Sequence, residues 1–429
     1  MKLRKEISEL LSAGVINQEV AEKIENYYLT KAGPPQNKLV IVFGILGALL
    51  VGLGTILILA HNWDDLSRNV KTIIAFIPLV LGQGVCFYAL RNKENSTTWR
   101  EGGSAFLIIA VGACISLIGQ IYNIPGALAP FLLTWILLSL PVIYVMRSSV
   151  ASLLYLIGIT FYACEVGYWG NVQSESYVYW GLLALALPHY YYLFKNKSES
   201  NFFTFHNWFI PLSVIITLGT IATGIEQLMF IGYMSLFGLL YLVGNIPLLR
   251  DQKIRNNGYL VLGSLGTVAL LLGLSFDWFW EELRTEDFLA QPWMISPEYI
   301  SSIIITLLAF ALLVYQKYNQ SPLSIKPVET VFILFIGIFF IGLSSSFVTL
   351  WINLLILAIG IMTIREGAKE NHFGILNYGL LIVSALIICR FFDTDLNFVL
   401  KGILFVAVGF GFFFANYWMA NKRKVKNEK

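Results

Sequence analysis

Charge is what this sequence has least of. Of its 429 residues, 13% are Asp, Glu, Lys or Arg, while 57% are hydrophobic. A soluble domain carries about 25% charged residues. This chain therefore cannot cover a compact globule with polar side chains, and a soluble enzyme or a disordered protein is excluded. Cysteine is scarce as well. Cys86, Cys114, Cys164 and Cys389 all fall inside apolar runs, with neither metal nor redox spacing. That excludes a secreted disulfide scaffold and leaves four small hydrophobes. Residues 1–28 are too charged for the h-region of a cleavable signal peptide, and no GxxxxGK[ST] phosphate loop occurs anywhere. No cofactor, metal or nucleic-acid partner is expected. The net charge of +3 says little, because in such a chain the placement of charge matters more than its sum.

What the sequence has in abundance is apolar runs of about 18 to 23 residues, enough for a helix to cross a hydrocarbon core of about 30 Å. Fourteen can be counted. They cover residues 39–60, 70–90, 103–124, 128–146, 149–166, 177–194 and 208–225, then 228–249, 258–278, 299–316, 327–344, 348–364, 373–388 and 396–419. Lys and Arg test the count. With the N-terminus inside, all but Arg68, Lys71, Arg284, Arg390 and Lys401 of the 29 basic residues fall on the cytoplasmic side. The acidic residues divide evenly, as expected when Lys and Arg alone set orientation. A single missed helix would destroy this bias. The expectation is an all-α integral membrane protein, a bundle of about fourteen transmembrane helices with both termini in the cytoplasm.

Residues 1–37 read as a short cytoplasmic helical hairpin. Leu3, Ile7, Leu10 and Leu11 share one face, Gly14 closes the first helix, and Asn17 caps a second whose face is Val20, Ile24, Tyr27 and Tyr28. The hairpin offers a cytoplasmic partner a surface, although a half-buried tail explains it as well. Residues 38–150 form a four-span module, 151–421 a ten-span region and 422–429 a basic tail.

The first span carries Gly44, Ala48 and Gly52 on one face, a smooth stripe for close helix packing in lipid. It ends in Ala60-His61-Asn62-Trp63-Asp64-Asp65-Leu66. The third span closes in Leu117-Ile118-Gly119-Gln120-Ile121-Tyr122-Asn123-Ile124-Pro125-Gly126, and Trp135 and Leu140-Pro141 follow in the fourth. At these residues the chain resembles a bacterial family of membrane proteins known as domain of unknown function 2157 (DUF2157). The resemblance covers roughly residues 5 to 150. It implies a bacterial inner-membrane protein and supplies no activity. His61-Asn62-Trp63 recurs as His206-Asn207-Trp208, but no second copy shares that offset, so no internal repeat is inferred.

Membrane physics then marks the candidate site. Gly112, Ser116 and Gln120 share a face of the third span, and a glutamine there faces helices or a cavity rather than lipid. Gln83 puts a second amide deeper, in the second span. With His61, Asn62 and Asp64 at the mouth and Tyr122 beside them, these residues outline a ligand pocket; interhelical hydrogen bonding and interface anchoring are the plainer explanation. Glu165, Arg390 and Lys401 stand out among the outer charges. The spacing of His61 and Asp64 supplies no third metal ligand. His189 lies inside a span without a carboxylate at its depth, which reads as a packed histidine. No catalytic residue is assigned. The expected function is transport or flipping of a small solute or lipid-linked intermediate within the lipid bilayer. The alternatives are a membrane-embedded enzyme of acyl or glycan transfer and a non-catalytic sensor or scaffold.

The charge pattern makes a direct prediction. In intact cells a cysteine replacing Glu286 should react with an impermeant thiol reagent, and one replacing Lys253 should not; the reverse pattern overturns the orientation.

Overall fold

The computed structural model describes residues 7, 10–24, 63–169, 177–285, 293–318 and 327–393, together with scattered helical positions from 399 to 417. Two compact units are distinguished, Met1–Ile74 and Ala75–Lys429. In the first, Gly14 sits in the left-handed region (φ 69°), and the Val15 N–H reaches back to Leu10 O at 3.0 Å. Asn17 Oδ1 then accepts the Val20 N–H at 2.9 Å. The helix stop and start expected there are both present. The glycine-striped run 39–60 lies outside the described residues.

In the second unit every described element is helical, and no strand occurs among the described residues. The long helices, one of which begins in the first unit, are α1 Arg68–Asn92, α2 Thr97–Ile121, α3 Leu128–Val145, α4 Ser149–Cys164, α5 Val178–Asn196, α6 Asn201–Leu218 and α7 Met229–Gly244. They continue as α8 Gly258–Gly273, α9 Asp277–Thr285, α10 Pro297–Tyr318, α11 Pro327–Ser344, α12 Val348–Glu370 and α13 Phe373–Asp393. Each apolar run expected between residues 70 and 388 overlaps a helix, although not every run is a single unbroken one. Among the described residues nine helices are long and apolar enough to cross a membrane, or up to ten if a bent pair is one span.

That bent pair departs from expectation. The run 258–278 reads as one helix, yet α8 stops at Gly273 and the chain turns by 79° into α9. The corner is held by side chains. Trp280 is fully buried and its indole N–H donates to Leu274 O at 2.8 Å. Arg284 donates to Gly342 O and Ser345 O, each at 2.9 Å. Helix α9 is thus anchored in the core by its own tryptophan.

Turn chemistry sets the other ends. Ser148 Oγ caps α4 by accepting the Ala151 N–H, Ser200 Oγ caps α6 through Phe203, and Asn257 Oδ1 caps α8 through Leu260. Asn371 ends α12 in the left-handed region.

Hydrogen bonds between helix ends show how the helices alternate. On one side, Arg100 donates to Arg147 O, Gln252 to Ser198 O, Trp208 to Arg255 O and Gln316 to Leu242 O. Lys317 pairs there with Glu329 at 2.7 Å. This is the side on which the sequence places its basic loops. On the other, Tyr168 reaches Ile216 O, Ser302 reaches Leu228 O and Arg390 reaches Ser275 Oγ.

Two hydrophobic clusters meet on α7, which contributes Leu236, Phe237 and Leu240 to one and Ile231, Met234, Tyr241 and Leu242 to the other. Its apolar stretch is 78% buried, against 22–50% in the other spans, so α7 is the central helix. Glycine permits this. A Cβ on Gly263 of α8 would stand 2.5 Å from Tyr241 N and 2.7 Å from Phe237 O, and one on Gly238 would stand 2.7 Å from the Phe332 ring. Small residues let helices close up where dispersion, not the hydrophobic effect, supplies the attraction. Gly263→Val should therefore cost about 1–3 kcal/mol, the usual range for overpacking, whereas Gly337→Val, with open space around it, should change little. Unfolding of the two variants in mixed micelles measures the difference.

Candidate functional site

The amides singled out from the sequence are not brought onto another described helix. Gln83, Ser116 and Gln120 are exposed on the Ala75–Lys429 unit, and Tyr122 is 45% exposed. Their neighbours explain the close packing instead. Gly82 meets Leu107, and Gly112 lies under the Trp135 ring, whose indole N–H donates to Ile108 O at 2.7 Å. Asp64 is exposed in the Trp63–Ser67 turn, where the Lys71 ammonium lies 5.7 Å from the Trp63 ring. His61, Asn62 and Lys401 lie outside the described residues. Glu165 opens a π-helical turn, Glu165–Trp169, and is partly exposed. Arg390 has a structural partner in Ser275 Oγ at 3.2 Å, and its guanidinium covers the Phe276 ring at 4.9 Å.

The buried polar chemistry lies elsewhere, at the basic side of α2, α4, α5 and α6. The turn between α3 and α4 is very short. Arg147 adopts a left-handed conformation there (φ 48°), so Ser148 and Ser149 begin α4 at once. Their helix-start N–H groups need an acceptor. Glu101, one turn into α2 and only 8% exposed, provides it. Its carboxylate accepts from the Ser148 hydroxyl, from Ser149 N at 3.2 Å and from Val150 N at 2.8 Å. A carboxylate at a helix N-terminus is favoured by the helix dipole as well.

Two buried histidines face the same turn. His189 Nε2 is 3.2 Å from Ser149 Oγ, and His206 Nε2 is 2.9 Å from Ser152 Oγ. The two rings stand 5.8 Å apart, centroid to centroid. His206 Nδ1 is 2.7 Å from Phe202 O. A carbonyl only accepts, so Nδ1 carries the hydrogen and Nε2 accepts from Ser152. Tyr190 stacks on His206 and donates to Asn207 Oδ1, while Asn207 Nδ2 donates to Asn256 O. His206, Asn207 and Ser152 have no exposed surface.

The expectation that His189 has no carboxylate nearby is thereby corrected. Glu101 precedes it by three helices in sequence and meets it only through Ser149. A glutamate one turn into an apolar helix and a double serine in a tight turn were the available signals, but nothing in the sequence joined them. Among the described residues no group of three or more His, Cys, Asp or Glu is placed to hold a metal ion.

Residues 8–152 match the family model described as Predicted membrane protein (DUF2157). The match is confined to this N-terminal part of the chain, where the motifs that resemble the family lie. The match takes in Glu101, Ser148, Ser149 and Ser152 and stops short of both histidines. No curated protein and no solved structure matches the chain.

The cluster predicts an order of variants. Glu101→Ala strands three buried donors and should cost about 1–3 kcal/mol, the penalty for an unsatisfied buried group. Glu101→Gln keeps one carbonyl acceptor and should cost less. Thermal unfolding of the purified protein tests that order.

Proposed function

We propose that this protein is a flippase-type transporter of the bacterial inner membrane, moving a lipid-linked intermediate. In this reading the chain has fourteen spans with both termini in the cytoplasm, and the N-terminal hairpin is free to meet a cytoplasmic partner. The observation that carries it is a groove of about 170 Å³ between α7, α10 and α11. It is lined by Leu228, Ile231, Ile336 and Phe340, with Ser302 and Thr306 on the α10 side, their hydroxyls bonded to Leu228 O and Ser302 O. Ser235 of α7 shares a hydrogen with Thr306 at 2.7 Å. The rim residues Ile303 and Leu307 are exposed, so the groove opens on the apolar surface of the bundle. Such a slot suits a hydrocarbon tail better than a free polar solute, which favours the lipid-linked substrate.

The groove lies beside an irregular stretch of chain. Between α6 and α7 the backbone leaves the helix, and Glu298 of α10 takes the N–H groups of Gly224 and Ile225 at 2.9 and 3.1 Å, together with that of Thr223. Non-helical backbone is tolerated in a membrane bundle only where protein or water satisfies it, and such breaks suit a movable pathway. Glu298 is fully buried.

The test is a bleaching experiment. Proteoliposomes holding the full chain and an NBD-tagged phospholipid are treated with dithionite. The reading expects inner-leaflet label to be lost along with outer-leaflet label, and expects Thr306→Phe, which fills the groove, to protect the inner leaflet. Bleaching confined to the outer leaflet, as in protein-free vesicles, overturns it.

A further inference from the structure

We propose that Glu298 of α10, together with the chain turn at residues 223–225, binds a small monovalent cation, sodium being the ion to test. A comparison of two carboxylates carries this. Glu101 and Glu298 do the same work, since each receives the N–H groups of a turn on another part of the chain. Glu101 uses both of its oxygens, Oε1 for Ser149 N and Oε2 for Val150 N and the Ser148 hydroxyl. Glu298 uses one. Thr223 N, Gly224 N and Ile225 N all converge on Oε1, and the Thr223 hydroxyl lies 3.5 Å from the same oxygen. Oε2 is buried and accepts no hydrogen bond among the described residues.

Three N–H donors on one oxygen are the setting of an ionised carboxylate. A buried charge is costly unless it is paired, and here the chain supplies no positive side chain. No Lys or Arg occurs between Lys197 and Arg250, nor between Arg284 and Lys317, so neither segment that builds the site carries one. Arg284 itself is committed to Gly342 O and Ser345 O. Among the described residues Glu298 belongs to no ion pair. A water molecule on Oε2 would fill a lone pair and leave the charge, whereas a cation answers both needs. Its type follows from the donors. A carboxylate oxygen prefers a hard ion. Glu298 is the one buried acid at this turn, and one negative charge balances one positive.

The site is reachable. Thr223 and Gly224 are exposed, so the turn opens on the side of the bundle away from the basic loops, and Glu226, exposed just beyond it, adds negative potential at that end. Tyr299 and Ser302, next along α10, line the groove with Leu228, and Ser302 donates to Leu228 O. A cation on Glu298 therefore steadies the joint between α7 and α10. The inference goes beyond the flippase reading and does not need it, since cation binding is read without any lipid being moved.

The experiment is amide hydrogen exchange read by mass spectrometry on the full chain in nanodiscs, in sodium chloride and in choline chloride at equal ionic strength. A cation on Oε2 holds the carboxylate in place, so the N–H groups bonded to Oε1 open less often. At sodium about ten times its dissociation constant, exchange at residues 223–225 should slow about tenfold. Residues 148–150, held by the complete carboxylate of Glu101, should exchange alike in both salts. Glu298→Gln should abolish the difference at 223–225. Equal exchange in the two salts, an equal effect at 148–150, or a sodium effect that survives Glu298→Gln overturns the proposal. The wild-type comparison alone decides the first two outcomes and needs no variant to fold.

Discussion

A backbone N–H at the start of a helix has no partner within that helix, and in an apolar bundle no water replaces it. Much of the polar architecture of this protein answers that one constraint. Glu101 serves the start of α4 on the basic side, and Glu298 serves the irregular stretch before α7 on the other. Each is a buried carboxylate whose charge is spread over several donors. Side-chain caps at Ser148, Ser200 and Asn257 complete the same task at other ends. Once the ends are satisfied, the helices can pack through smooth, uncharged faces.

The packing gathers around α7. Glycines on α7 and α8 bring backbones together, and hydroxyl pairs such as Ser235 with Thr306 and Thr160 with Ser213 tie helices at mid-height. Hydrogen bonds of this kind contribute about 0.6 kcal/mol each in a membrane, so close contact over the whole helix matters more. The same economy separates the two buried sites chemically. The groove beside α10 presents apolar side chains, suited to an apolar guest. The cluster of Glu101, Ser149, Ser152 and the two histidines is instead a buried network of hydrogen bonds.

Parts of the fold were legible because they depend on local chemistry. Gly14 and Asn17 act through their own backbone and nearest neighbours, and the apolar runs from 70 to 388 are largely helical because a helix satisfies the backbone of an apolar segment from within. The break at Gly273 was not legible. Leu274, Phe276 and Trp278 continue the apolar run past Ser275 and Asp277, and the turn is held by Trp280 bonding to Leu274 O and Arg390 reaching Ser275. Gln120 shows the converse. Its spacing from Gly112 is real, but Gly112 meets Trp135 while Gln120 remains exposed on this unit. Helical phase identifies a face and cannot say how far a neighbouring helix covers it.

The sequence by itself determined the class of this protein, since too little charge and too many long apolar runs admit only a helical membrane bundle, and the Lys and Arg bias assigns its loops to two sides. Its motifs also placed the N-terminal part in DUF2157. Tertiary structure alone decided which polar residues are sites. Glu101, Ser149, Ser152, His189 and His206 are scattered over four helices and more than a hundred positions, and each taken singly is unremarkable. A hydrogen bond acts over about 3 Å, and the sequence carries no measure of distance between residues on different helices. Only the packing of α2, α4, α5 and α6 brings them within that reach.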